Sequence, residues 1–269
     1  MDNRPIGVFD SGVGGLTAVK ELTALLPHED IVYFGDTGRV PYGSRSRETI
    51  IRYAKQDIDF LLSHDVKLIV AACGTVSSTL PASAGSALPV PYMGVIQAAA
   101  QAACALSQGG RIGVIGTKAT IRNNAYGKAI RGVRPEVRVF GNACPLFVPL
   151  VENGHFSEKD PIARAAAEYY LTTLKRERID TLILGCTHYP LLHGLISAFF
   201  DYQVTLVDPG RETARAVQTY LTVHGLLNGQ TQPGSHRYYM TDSAEDFCEV
   251  ASVFLSCDIH ADAQQVAID

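Results

Sequence analysis

No stretch of the chain approaches the roughly 20 consecutive apolar residues that a membrane-spanning helix requires. The amino terminus, MDNRPIGVFDSGVGG, has no basic segment leading into an apolar one, so a secretory signal is not expected there. Nor is there a basic excess: Lys and Arg number 23 against 27 Asp and Glu, a formal net charge of -4. Proteins that work by neutralising phosphate backbones carry the opposite balance, so neither nucleic acid nor a membrane is expected as a partner. The cysteines, Cys73, Cys104, Cys144, Cys186, Cys248 and Cys257, include no CxxC pair, which argues against a structural zinc or other metal site. They are also too sparse in 269 residues to form a disulfide scaffold. Free thiols in an acidic chain without a signal point to the cytoplasm. The glycine-rich run Ser11 to Gly15 matches neither GxGxxG nor the GxxxxGK run of a phosphate-binding loop. A turn that brings backbone close to a carboxylate at a helix N-terminus explains it better.

What is present is an alternation of short apolar runs and amphipathic helices. Ile6–Asp10 reads as a buried strand, followed by a helix from about Leu16 to Leu26 that Pro27 stops. Ile31–Phe34 is a second strand and Val66–Ala72 a third, with a helix between them carrying Ile51, Ala54, Ile58, Leu61 and Leu62 at helical spacing. Strands alternating with helices predict parallel sheets covered by helices. The pattern then restarts: Ile112–Thr117 echoes Ile6–Ser11, and Thr181–Cys186 echoes Leu68–Cys73. Asp160-Pro161 opens a helix reaching about Leu174, and another helix is expected from about Glu212 to His224. These signals predict an α/β chain of two similar, pseudo-symmetric three-layer lobes with a site in the cleft between them. The first lobe takes residues 1–96 and 210–269, the tail returning to complete it, and the second takes 97–209.

Ligands of open parallel sheets bind beyond the carboxyl ends of the strands. Four such ends carry reactive or polar groups: Asp10-Ser11, Cys73-Gly74-Thr75, Thr117 and Cys186-Thr187-His188. If the two halves face one another, two thiols meet across one cleft, as a reaction with a base on each face of a carbon atom requires. A free thiol ionises near pH 8.5, so a cysteine base needs help near neutrality. Asp10 near Cys73 and His188 beside Cys186 are the candidates for tuning or relaying protons. A carbanion beside a carboxylate also needs preorganised donors, which Ser11, Thr75, Thr117, Thr187 and backbone N–H groups can supply. Cys104, Cys144, Cys248 and Cys257 lack such company and are expected to be structural.

DSGVGG at Asp10–Gly15, PYG at Pro41–Gly43, the C-x-T of Cys73–Thr75 and GCTHYP at Gly185–Pro190 together resemble glutamate racemase, within the aspartate/glutamate racemase superfamily. VE at Val151-Glu152 and DPGRETA at Asp208–Ala214 extend the resemblance over nearly the whole chain. It implies cofactor-independent interconversion of L- and D-glutamate for peptidoglycan precursors, usually by a homodimer. It implies that Cys73 and Cys186 are the acid/base pair, assisted by Asp10 and His188. Substrate contacts carry over to Asp10, Ser11, Pro41, Tyr42, Gly43, Thr75, Thr117, Glu152, Thr187 and His188, and to position 74. The family usually reads Cys-Asn-Thr where this chain has Cys73-Gly74-Thr75, so Gly74 offers backbone only. The loss of an asparagine hydrogen bond to a charged group, worth about 1.5–3 kcal/mol, is expected to lower efficiency. An enlarged pocket there would favour aspartate or another small acidic amino acid; a ligand-binding protein without turnover is the alternative from outside enzymology.

Overall fold

Each apolar run forms a strand whose neighbours run parallel to it. The computed structural model describes residues 1–268. Its strands are β1 (Ile6–Asp10), β2 (Ile31–Gly35), β3 (Leu68–Ala71), β4 (Tyr92–Gly94), β5 (Arg111–Gly116), β6 (Arg138–Ala143), β7 (Thr181–Gly185), β8 (Thr205–Val207), β9 (His236–Met240) and β10 (Ala263–Gln265). They form a six-stranded sheet, β10-β9-β2-β1-β3-β4, and a four-stranded sheet, β6-β5-β7-β8. All pairings are parallel, so the central strands are buried on both faces, as continuous apolar runs such as Ile6–Asp10 and Thr181–Gly185 require. The order β2-β1-β3-β4 recurs as β6-β5-β7-β8, which is the repeat visible in the sequence. The tail adds β9 beside β2 and β10 beside β9.

Local chemistry sets the helix starts. The Ser46 hydroxyl caps the helix Arg47–Leu62 by accepting from the Thr49 N–H at 3.2 Å, and the helix buries Ile50, Ala54, Ile58 and Leu61. Asp160 caps Pro161–Arg176 through the N–H groups of Ile162 and Ala163, both at 2.9 Å. The later helix begins at Pro209, not at Glu212 as expected. Asp208-Pro209 is the same cap and first-turn pair as Asp160-Pro161, with the Asp208 carboxylate accepting from the Gly210 N–H at 2.8 Å. Helix Pro209–Val223 packs on helix Leu16–Leu25 and on the alanine-rich helix Val95–Leu106, so it touches elements flanking both sheets. One apolar cluster runs from Ile6, Val8 and Leu68 through Phe147 and Tyr170 to Leu182 and Leu184, joining the two halves. Among the described residues no helix is long and apolar enough to cross a membrane.

A fully buried ion pair ties the entrance edge of the first sheet together. Lys67, directly before β3, places its ammonium 2.5 Å from Glu29 and also donates to the carbonyls of Asp2 (2.7 Å) and Leu226 (2.9 Å). The other Glu29 oxygen accepts from the Asn228 N–H at 2.7 Å.

Candidate active site

The strand ends named by the sequence surround one cavity of about 450 Å³, a size suited to a small molecule. Cys73 follows β3 and Cys186 follows β7, the equivalent strands of the two sheets, and both line it. Asp10, Ser11, Pro41, Tyr42, Gly43, Gly74, Thr75, Thr117, Glu152, Thr187 and His188 line it as well. Each lies at a strand end or in the loop or helix that follows, where the parallel topology opens its crevice.

On the first face, the Gly12 N–H donates to the Asp10 carboxylate at 3.0 Å, and the Tyr33 hydroxyl holds the Gly12 carbonyl at 2.7 Å. Burial pushes the Asp10 carboxyl up, although His188 and the Gly12 N–H pull the other way. The Cys73 thiol donates to the Ser11 hydroxyl at 3.6 Å. Burial, with the nearby Asp10 charge, pushes it up to about 12, so it carries its proton at neutral pH.

The opposite face is arranged differently. His188 Nδ1 lies 3.9 Å from the Cys186 sulfur, and its Nε2 lies 2.8 Å from Glu152 Oε1. Burial alone would lower His188, but its bonds to Cys186 and Glu152 outweigh that and raise it to about 10. The ring is therefore an imidazolium near neutrality and donates both to the carboxylate and to the sulfur. Phe254 meets it edge-on at 5.4 Å between ring centres. The two faces thus hold one thiol protonated and set the other beside a cation.

Bonds between the halves fix their relation. The Thr17 hydroxyl donates to the Thr187 carbonyl at 3.1 Å, and the Thr187 hydroxyl donates to Asp10 at 3.4 Å. The hydroxyls of Thr75 and Thr117 meet at 3.0 Å, and Thr117 also caps the helix Lys118–Asn123. Gly14 admits this approach, since a Cβ there would stand 2.6 Å from the His188 ring.

The Tyr42 hydroxyl is engaged within the wall of the cavity: the residue is buried, donates to Asp36 and reaches Asp57 at 3.2 Å. Arg39 neutralises that cluster from 2.6 Å of Asp36 and 3.1 Å of Asp57, so Tyr42 shapes the wall. One expectation changes: the space beside the Gly74 Cα is not opened to the pocket, because the Gly185 carbonyl oxygen lies only 2.6 Å from where a Cβ would be. Among the cysteines expected to be structural, Cys104, Cys144 and Cys248 are buried, whereas Cys257 is exposed.

Lys118, Pro145, Val148 and Pro149, which belong to none of the sequence motifs, also line the cavity. Val148 and Pro149 precede Glu152 by four and three residues in the helix Phe147–Glu152, the spacing that puts side chains on one face. Lys118, on the exposed rim, follows Thr117 directly at the end of β5 and is the one Lys or Arg of the lining among the described residues.

The chain matches the Asp/Glu/hydantoin racemase family over residues 16–217. It is 45% identical to glutamate racemase of Geobacter metallireducens, covering 100% of this chain and 98% of the relative. It is 47% identical to the Syntrophus aciditrophicus enzyme of the same name, over 94% and 93% of the two chains. Among solved structures, a glutamate racemase isoform of Bacillus anthracis superposes with a TM-score of 0.94 at 37% identity, over 99% of this chain and 98% of that one. Glutamate racemase of Francisella tularensis, in complex with D-glutamate, superposes at 0.91 with 39% identity over the same shares.

Proposed function

This chain belongs to the Asp/Glu/hydantoin racemase family, and we propose that it interconverts L- and D-glutamate by transferring protons between the α-carbon and two thiols. The observation that carries this reading is the placement of Cys73 and Cys186 at the ends of equivalent strands of two sheets, lining one cavity. As the reaction starts from one enantiomer, the Cys186 thiolate, paired with the His188 imidazolium, takes the α-proton. The Cα–H bond breaks, and its electron pair passes into the substrate carboxylate. The Cys73 thiol then gives its proton to the opposite face, leaving Cys186 protonated and Cys73 ionised. The other enantiomer runs the sequence backwards, from a Cys73 thiolate to a Cys186 thiol. Ser11, Thr75, Thr117 and Thr187 are the donors proposed to hold the carboxylate where charge develops.

The same reading takes residues 1–96 with 210–269 and residues 97–209 as the two lobes, supported by the strands each sheet contains. It places a homodimer in the cytoplasm, supplying D-glutamate for peptidoglycan; sedimentation velocity tests the dimer. The substrate assignment is tested by incubating the protein with L- and with D-glutamate in heavy water, without added cofactor. Inversion from both enantiomers, with deuterium at the α-carbon of the product, is expected. Inversion of aspartate in preference to glutamate would overturn the assignment.

Glu152 gives a pH prediction. Its carboxylate helps hold the proton on His188, so Glu152→Gln lowers the pH at which that imidazolium is lost from about 10. The alkaline fall of kcat/KM is therefore expected at lower pH than in the parent. At pH 9 the rate should drop by up to about 1.5-fold, and well above pH 10 by up to about fivefold, modest figures because water screens a partly exposed carboxylate. An unmoved alkaline limb would assign Glu152 no part in tuning His188.

A further inference from the structure

Building on the two-thiol reading, we propose that Gly74 is a positioning residue: its missing side chain seats the Cys73 turn directly on the Gly185 carbonyl and so sets the spacing between the thiols. A Cβ at position 74 would stand 2.6 Å from the Gly185 oxygen and 3.5 Å from its carbonyl carbon. Contacts below 3.0 Å are essentially never made by real Cβ atoms, so a side chain here must move one partner. The partner is backbone and cannot rotate aside. Gly185 is itself backed by β5, where it pairs with Gly116, and a Cβ on Gly185 would meet the Ile115 carbonyl oxygen at 2.6 Å and the Tyr126 ring at 3.0 Å. The Cys73 side is equally fixed, because the Cys73 carbonyl accepts from the Ser77 N–H at 2.9 Å in the first turn of helix Gly74–Thr79. Gly74 adjoins one thiol in sequence and Gly185 adjoins the other. Relief of the clash therefore separates the two thiol-bearing turns.

That separation has a signature that loss of stability lacks. Inversion needs both thiols against one carbon, whereas exchange with retention needs only one. A thiolate removes the α-proton, the resulting S–H exchanges with heavy water, and the deuteron returns to the same face. A displacement of about 1 Å can cost on the order of a hundredfold when geometry is the catalyst. Gly74→Ala is therefore expected to lower kcat for inversion at least about tenfold and change KM less than about threefold. The ratio of α-deuterium uptake with retention to inversion should rise about threefold or more. Gly74→Asn, although it restores the residue usual in the resembling family, is expected to fall below the parent in the same way.

Inversion and exchange are followed together by NMR and circular dichroism in heavy water, beside a thermal melt. Parent-like kcat and parent-like ratio in either variant would overturn the proposal. So would an equal loss of both reactions with a lowered melting temperature, since that is a structural effect alone. An inert parent protein, seen before any variant is made, would overturn the two-thiol reading and this proposal with it. A crystal structure of the parent in which a Cβ on Gly74 clears the Gly185 oxygen by ordinary contact, 3.4 Å or more, would overturn it even if no variant folds.

Discussion

Replacing Cys186 by Ala, or Cys73 by Ala, is expected to lower racemization at least about a thousand-fold, because in the proposed mechanism each removes the proton carrier on one face of the substrate. The cavity wall would stay intact in both variants, since each thiol is a short buried side chain whose neighbours are held by other bonds. The residual chemistry should differ between the two. Cys73→Ala keeps the Cys186–His188–Glu152 set, so it retains slow α-proton exchange from the enantiomer whose proton faces Cys186. Cys186→Ala keeps a thiol that burial and Asp10 hold protonated to about pH 12, so its exchange should be slower and should rise with pH. Deuterium uptake by each enantiomer, measured separately on each variant, reads both statements at once. Inversion within tenfold of the parent in either variant would rule out the two-thiol mechanism.

The second large effect is on stability. Lys67→Met leaves the Glu29 carboxylate buried without its cation, and strips a donor from the carbonyls of Asp2 and Leu226. Removing one member of a buried pair costs about 3–5 kcal/mol, mostly because the survivor remains charged in a poor solvent for charge. For a chain of this size the expected fall in melting temperature is on the order of 10 °C. Adding Glu29→Leu should recover part of that loss by deleting the stranded carboxylate. Recovery would be incomplete, since the Asn228 N–H then loses its acceptor. A melt unchanged by Lys67→Met would show that water reaches this pair in solution.

How far the sequence could be read follows from where the physics is local. Apolar runs such as Ile6–Asp10, and a capping pair such as Asp160-Pro161, carry their instructions within a few residues, and they led to the parallel strands and the helix start. The repetition of a strand ending in cysteine pointed to two thiols at equivalent places. Asp208-Pro209 carried the same capping signal as Asp160-Pro161, yet the expected start fell three residues later, a misreading of available information. Gly74 is a different case. What fills the space beside it is a carbonyl more than a hundred positions away, and no spacing rule reports that. The Tyr42 hydroxyl was equally beyond reach, because its partner Asp57 lies on the buried face of a helix otherwise amphipathic by pattern. Lys67 and Glu29 look like ordinary surface charges in the sequence and become a buried pair only when strands β2 and β3 flank β1.

The return of the tail to the first sheet also decides the order in which the chain can mature on the ribosome. All four strands of the second sheet lie between residues 111 and 207, so they can associate while translation continues. The first sheet begins earlier and finishes last, because β9 and β10 come from residues 236–240 and 263–265. Until they emerge, β2, with the sequence IVYFG, is an edge of unpaired backbone and apolar side chains, the kind of edge to which other chains adhere. Chains terminated between β8 and β9 would therefore accumulate as aggregates, and the pairing of β9 with β2 is what covers the sticky edge.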